Sequence, residues 1–373
     1  MMLFEPITIR GMTLKNRIVM SPMLTNAGLR GKRSRAYLAE RAKGGVGAIA
    51  IPGPLIDAFS LDEVWGKAGA VQSFIESLHV IPDEVHPFGT KIGMQHLALN
   101  RIPMGIGVGD AQGELVAPSP GIEKLLIRDG VIVKQGEKAR QLTITEIETA
   151  IERYARAAAG AKAGGFDFTY VHGAHGSLTC QFWAPGYNHR TDRYGGDLAG
   201  RMRFGIEVVT AMRAAVGDDF PIFYRLGVFG GHGVTMRDSI TFARELAKAG
   251  TDVIDVCNVP HTKMGQPGPD KPIGVFAPKA ARIKKNVDIP IGVVGKINRP
   301  DVAEAILTEG KADLIYIGRQ LLCDPYWALK AQEGKTDEIV ECLCCNKCSP
   351  RHGSIGLECP LNPNLTREYE QVS

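Results

Sequence analysis

Two groups of residues in this 373-residue chain have the types and spacing to do chemistry. The first is Val171-His172-Gly173-Ala174-His175-Gly176, two imidazoles three residues apart where an apolar run gives way to glycines. Such a pair can aim two hydrogen-bond donors at one substrate oxygen and stabilise the negative charge of a developing enolate. A lone histidine is more often structural. Paired histidines also serve metals, but no carboxylate accompanies these two at a familiar metal-ligand spacing. The second group is Cys342-x2-Cys345-x2-Cys348-x10-Cys359. All eight cysteines lie at or after Cys180 and five fall within Cys342–Cys359, which is ligand-like crowding rather than the scatter of a secreted disulfide framework. Four thiolates at this spacing suit either tetrahedral zinc or an iron–sulfur cluster. Cys344 is then the spare thiol, and Cys180, Cys257 and Cys323 read as buried small hydrophobes.

Positioning these groups takes a scaffold, and the sequence predicts one. Short apolar, β-branched runs alternate with helical patterns, which is the signature of repeated βα units around a parallel sheet. The strand candidates are Arg17–Pro22, Ala48–Pro52, Lys91–Gln95, Phe168–His172, Ile222–Leu226, Val253–Val256, Ile291–Val294 and Leu314–Ile317, enough to close a (β/α)8 TIM barrel. Thr143-Ile144-Thr145-Glu146 reads as a capping box opening an Ala-rich helix that ends near Gly164. Further helices are expected at Leu198–Val216, Arg237–Ala249, Pro278–Lys285 and Pro300–Glu309. Ile7–Leu14 around Gly11 reads as a hairpin that could plug the barrel bottom. Asn100–Arg140 is an insertion; its Gly105-Ile106-Gly107-Val108-Gly109 lacks the full dinucleotide-loop spacing and reads as a loop.

In such barrels the reacting groups stand at the C-terminal ends of the strands. Those positions here are Pro22 with Met23, Gly53, Gln95, His172 with His175, Arg225, Gly295 and Gly318 with Arg319. Loops after strands seven and eight are the usual phosphate site, and Gly295 and Gly318 would let backbone N–H groups approach an anion. Arg319 would add a charged fork there, or else pair with a nearby carboxylate. Gln95 offers a donor and an acceptor from one amide, which suits the edge of an isoalloxazine ring, or it is an ordinary polar strand end. A buried Arg225 needs an anionic partner, either a reduced flavin or a structural carboxylate.

The segments Leu14-Lys15-Asn16-Arg17-Ile18-Val19-Met20-Ser21-Pro22-Met23, His172-Gly173-Ala174-His175-Gly176 and Asn188-His189-Arg190-Thr191-Asp192-Arg193-Tyr194-Gly195-Gly196 together resemble the old yellow enzyme family. The resemblance spans roughly residues 3–330 and implies a flavin oxidoreductase. By position it makes Pro22, Met23, Gly53, Gln95, Arg225, Gly295, Gly318 and Arg319 contacts to FMN, and His172 and His175 the pair that holds a substrate oxygen. The cysteine spacing resembles the 4Fe–4S site of the 2,4-dienoyl-CoA reductase and trimethylamine dehydrogenase branch, with Cys342, Cys345, Cys348 and Cys359 as ligands. The implied division is a barrel over residues 1–335 and a cluster segment over 336–373.

The pattern also departs from the family. Where ene-reductase members carry a proton-donating tyrosine, two residues beyond the second histidine, this chain has Ser177. A serine hydroxyl is far less acidic and shorter, so water, Tyr187 or another loop residue would have to substitute. Leu24 stands where trimethylamine dehydrogenase attaches its flavin, so the FMN is expected to dissociate. Ala98-Leu99-Asn100-Arg101 replaces the usual motif after the flavin glutamine. Long members of the branch continue into nucleotide-binding domains. The resemblance thus leaves three electron routes: hydride directly from NAD(P)H, single-electron exchange through the cluster with a protein partner or reductase subunit, or a longer polypeptide of which this is a part.

Reduction of an activated C=C bond in a small organic substrate is the leading expectation. The alternatives are an oxidative N-demethylase or amine dehydrogenase, and an electron-transfer subunit of a larger complex. The formal charge of +4, from 44 Lys+Arg against 40 Asp+Glu, is too weak to argue a nucleic-acid partner. Neither an export signal nor a membrane span is indicated, and thiols at this density suit the cytoplasm. A homo-oligomer is expected.

Overall fold

In a computed structural model of the protein, the described residues are 1–55, 69–98, 101–102, 114–120, 138–228, 231–258, 267–348 and 356–371. Eight strands close into one parallel barrel in chain order. They are β1 (Ile18–Met20), β2 (Ala48–Leu55), β3 (Lys91–Leu97), β4 (Phe168–Gly173), β5 (Ile222–Gly227), β6 (Val253–Cys257), β7 (Ile291–Val293) and β8 (Leu314–Ile317). Each expected strand is found, with ends displaced by no more than three residues. The largest displacement is at β2, which continues through Pro52, Gly53 and Pro54 to Leu55 with a register shift against β3. Proline removes a ladder donor, so the sequence signals a stop there, and the irregular pairing accommodates it.

The outer helices include Lys32–Lys43, Ile144–Ala163, Leu198–Val216, Met236–Ala249, Ala277–Lys284 and Pro300–Thr308. At the second of these the capping box forms in both directions, between Thr143 and Glu146. The Ile7–Leu14 hairpin also forms, with antiparallel pairing and a two-residue turn at Arg10 and Gly11, both at positive φ. Its Ile9, Met12 and Leu14 pack with Val19, Ala48, Ala50, Phe168, Tyr170, Phe223, Val253, Leu314 and Tyr316 as the barrel's interior core. Large and small residues interlock inside: a Cβ on Gly93 would stand 2.1 Å from the Phe168 ring, and one on Gly292 would stand 2.2 Å from Tyr316. Arg101–Ile102, Glu114–Ala117 and Arg140–Gln141 form a small separate sheet in the Asn100–Arg140 insertion. Gly105–Gly109 lies outside the described residues.

One device recurs at the bottom of the barrel. Asp167, Asp252 and Asp313 each stand just before a strand and accept an N–H from the start of the preceding strand, from Ile92 (2.8 Å), Ile222 (2.8 Å) and Ile291 (2.9 Å). Each also holds a cation: Lys91 on Asp167 at 2.9 Å, Arg213 on Asp252 at 2.6 Å, and Lys284 on Asp313. These carboxylates tie neighbouring βα units together from below and leave the upper rim for the site.

Past β8, two short helices (Arg319–Cys323 and Trp327–Gln332) lead to the cysteine-rich stretch. Residues 356–371 dock on the Lys32–Lys43 helix. Arg41, fully buried there, pairs with Glu368 and donates to the carbonyls of Tyr37 (2.9 Å) and Leu321 (3.2 Å). Arg33 donates to Thr366 O (2.7 Å) and Tyr369 Oη (2.8 Å). Among the described residues no helix is long and apolar enough to cross a membrane.

Candidate active site

β4 delivers His172 to the barrel mouth, and the turn after it swings His175 back toward the same place. His175 (φ +56°) and Gly176 (φ +77°) are both left-handed, which reverses the chain within one residue. The two imidazoles then stand 5.3 Å apart, ring centre to ring centre, tilted by 67°. His172 Nδ1 is buried without a hydrogen-bond partner. Burial, aided by the Arg225 charge, pushes its pKa down to about 3, so the ring is neutral at physiological pH. His175 Nε2 lies 2.9 Å from Cys257 Sγ.

Ser177 is used locally. Its hydroxyl donates to His172 O at 2.6 Å, and its oxygen accepts from Cys180 N as the cap of the Leu178–Trp183 helix. Thr179 also donates to His172 O, so the two hydroxyls hold the strand end that carries the first imidazole. The Tyr187 ring is buried and stacks on His232, 4.1 Å between centres.

On the adjacent strands, Arg225 is in register with both His172 and Asp255. Its Nε donates to Asp255 Oδ2 at 2.6 Å, and the Tyr170 hydroxyl donates to the same oxygen. Arg225 Nη2 and Asp255 Oδ1 are buried without partners. The carboxylate pushes the Arg225 pKa further up against the opposing effect of burial, so the guanidinium is a fixed charge. Gln95, on β3 opposite Tyr170, is buried with Nε2 also unpartnered. Unsatisfied buried donors cost about 1–3 kcal/mol each, so Gln95 and Arg225 at neighbouring strand ends are candidates to meet a polar ligand.

The glycines at the other strand ends are closely packed against the protein itself. A Cβ at Gly53 would stand 2.6 Å from Met94 Cγ and 2.9 Å from Gln95 O. Gly295 (φ +127°) would place one 2.6 Å from the Phe276 ring. Gly318 would place one 3.3 Å from Met23 Sδ, which sets Met23, just beyond β1, against the end of β8. Pro22 lies between Met23 and Ser21, whose N–H is bonded to Ile317 O at 2.9 Å. Among the described residues Arg319 pairs with no carboxylate; its Nη1 donates to Asn346 Oδ1 inside the cysteine loop.

That loop borders a small pocket lined by Arg319, Cys342, Cys345, Asn346, Cys348 and Cys359, with Cys323 at its wall. Cys344 is buried and donates its backbone N–H to Cys342 Sγ at 3.4 Å. Among the described residues, no three His, Cys, Asp or Glu side chains converge as they would on one metal ion. Three residues with partners here were not singled out as site residues: Asp255, Tyr170 and Cys257. A carboxylate within Val253-Ile254-Asp255-Val256 was the available signal, since a charge inside an apolar strand requires a buried partner.

The family described as NADH:flavin oxidoreductase / NADH oxidase matches residues 2–338. NADH oxidase of Thermoanaerobacter brockii is 36% identical, over 99% of this chain and 57% of its own length. Cinnamate reductase of Clostridium sporogenes is 31% identical over 99% of this chain and 58% of its own. This chain therefore spans a little over half the length of these relatives. Among solved structures, a 2-naphthoyl-CoA reductase superposes with a TM-score of 0.85 at 27% identity, covering 99% of this chain and 58% of the other. Histamine dehydrogenase from Rhizobium sp. 4-9 gives 0.83 at 26%, covering 98% and 53%. With the barrel, the strand-end donors and this match in agreement, the chain belongs to the NADH:flavin oxidoreductase / NADH oxidase family of enzymes.

Proposed function

We propose that this enzyme binds FMN across the barrel mouth and reduces a C=C bond conjugated to a carbonyl or carboxyl group in a small organic substrate. When bound, the flavin supplies the hydride at N5, with NAD(P)H as the expected reductant. The observation that carries the proposal is that Gln95 Nε2 and Arg225 Nη2 are both buried without partners on strands either side of β4, with Arg225 in register with His172. Gln95 would address the alternating N–H and C=O edge of the ring, and Arg225 the side where negative charge collects. Pro22, Met23 and Gly53 would line the ring. Gly295 and Gly318 would open the backbone to the phosphate, and Arg319, just past β8, would reach it.

Neutral His172 retains one N–H, and together with His175 it would hold a substrate oxygen and stabilise charge on it. Ser177, with its hydroxyl donated to His172 O, keeps that imidazole in place, and the proton for the substrate carbon comes from water.

Cys342, Cys345, Cys348 and Cys359 are proposed to hold a 4Fe–4S cluster, in a segment spanning 336–373 appended to the 1–335 barrel. Four cysteines at this spacing suit zinc or a cluster, and the resemblance of the spacing to the iron–sulfur branch of the family favours the cluster. A cytoplasmic setting fits these reduced thiols. A second reading, oxidative removal of an amine or methyl group with electrons leaving through the cluster, is favoured by Ser177, since that direction needs no proton donor. The likeness to histamine dehydrogenase is consistent with it.

The test is an anaerobic assay of cluster- and FMN-loaded protein. Dithionite-driven turnover of cinnamate or 2-cyclohexen-1-one supports the first reading. Flavin bleaching by N-methylated amines with no ene turnover selects the second. Failure with both, alongside stable co-purification with a dehydrogenase, would make the chain an electron-transfer subunit.

A further inference from the structure

Cys257 ends β6 two residues after Asp255, so both side chains point into the barrel on the face that meets Arg225. Its sulfur is buried, yet it lies 2.9 Å from His175 Nε2. Two independent features therefore fix His175: the left-handed backbone that turns it back over the mouth, and this contact at the ring's far nitrogen.

We propose that Cys257 is a positioning residue: its S–H donates to His175 Nε2, which fixes the remaining ring proton on Nδ1 and orients that N–H as a donor. The direction follows from the partners. An imidazole lone pair is a good acceptor, whereas neutral thiol sulfur is a weak one. Burial pushes the Cys257 thiol up to about 11, with Asp255 adding to the effect and Arg225 opposing it, so the sulfur keeps its proton at neutral pH. Fixing a tautomer through the nitrogen that faces away from the ligand is a known role for a histidine's second partner. Isolated imidazole favours the opposite arrangement, with the proton on Nε2, so the thiol selects the form that the site uses. This inference rests on reading His172 and His175 as the oxygen-holding pair, but its primary test does not.

That test is nitrogen-15 NMR of histidine-labelled, oxidised holoprotein, with the His175 signal assigned by its loss in His175→Asn. The expected result is a protonated Nδ1 and an unprotonated, hydrogen-bonded Nε2 in wild type and in Cys257→Ser, with a shift toward the Nε2-protonated form in Cys257→Ala. A wild-type signal with Nε2 protonated, or an unchanged signal in Cys257→Ala, overturns the proposal. In dithionite-driven turnover of 2-cyclohexen-1-one, loss of one such hydrogen bond should raise KM about five- to tenfold in Cys257→Ala, with recovery in Cys257→Ser. If no variant turns over an enone while the tautomer still follows position 257, the functional reading fails and the positioning role stands.

Discussion

Replacing Arg225 separates two roles that its guanidinium plays at once. Nε holds Asp255, whose side chain is 0% exposed, while Nη2 is buried without a partner. In Arg225→Met the methionine fills much of the volume, but a buried carboxylate loses its counter-charge. Breaking a buried pair from one side costs about 3–5 kcal/mol. Asp255 Oδ2 keeps the Tyr170 hydroxyl, which favours the lower end, about 3 kcal/mol. In a chain of this length that lowers Tm by on the order of 4 °C. FMN affinity falls too, since one charge-assisted hydrogen bond contributes about 1.5–3 kcal/mol, or roughly ten- to hundredfold in Kd. The double variant Arg225→Met/Asp255→Leu removes both charges, and it should recover most of the stability but none of the affinity. Calorimetric melting of flavin-free protein and a fluorescence-quenching titration with FMN measure the two effects separately. A double variant that binds FMN as wild type does would make the guanidinium purely structural. A single variant as stable as wild type would refute the buried-pair argument.

Three further outcomes are expected. Because His172 has a folded pKa of about 3 against an ordinary 6.5, the unfolded chain takes up a proton between those values that the folded chain refuses. His172 therefore adds no slope above pH 6.5 and a loss of stability as pH falls below it, approaching about 1.4 kcal/mol per pH unit. Denaturant titrations from pH 8 to 4 should show this component vanish in His172→Gln. Gly295→Ala, at φ +127° with a Cβ placed 2.6 Å from the Phe276 ring, should cost about 1–3 kcal/mol in denaturant melts. Glu368→Ala leaves Arg41 buried without its anion and should loosen residues 356–371 before the barrel, seen as faster amide exchange confined to that segment and the Lys32–Lys43 helix.

The barrel was legible because β-branched runs in a parallel sheet are buried on both faces and need no alternation to be recognised. Strand ends were less so. β2 runs on through two prolines because pairing with β3 tolerates a shift that the residues themselves do not announce. The aspartates at 167, 252 and 313 each follow a glycine by one to three residues and precede an apolar run, a pattern visible in the sequence whose meaning emerges once neighbouring strands are known. The structure places Gln95, His172 and Arg225 near the ends of their strands, as barrel topology dictates. Partners were harder, since they depend on register: Arg225 reaches Asp255 30 residues away, and Arg319 reaches Asn346 rather than a carboxylate. Cys257 and Cys323 read as small hydrophobes, and both are buried. One nevertheless touches His175 and the other borders the cysteine pocket, contacts that composition does not reveal.

The central claim is that Gln95 and Arg225 hold a flavin beneath the paired imidazoles, and equilibrium titration of flavin-free protein with FMN tests it most directly. The account predicts one FMN per chain with quenched flavin fluorescence, and binding weakened at least tenfold in Arg225→Met and, by loss of the amide's hydrogen bonds, about fivefold or more in Gln95→Ala. No binding by the wild-type chain, or equal affinity in all three proteins, would contradict it.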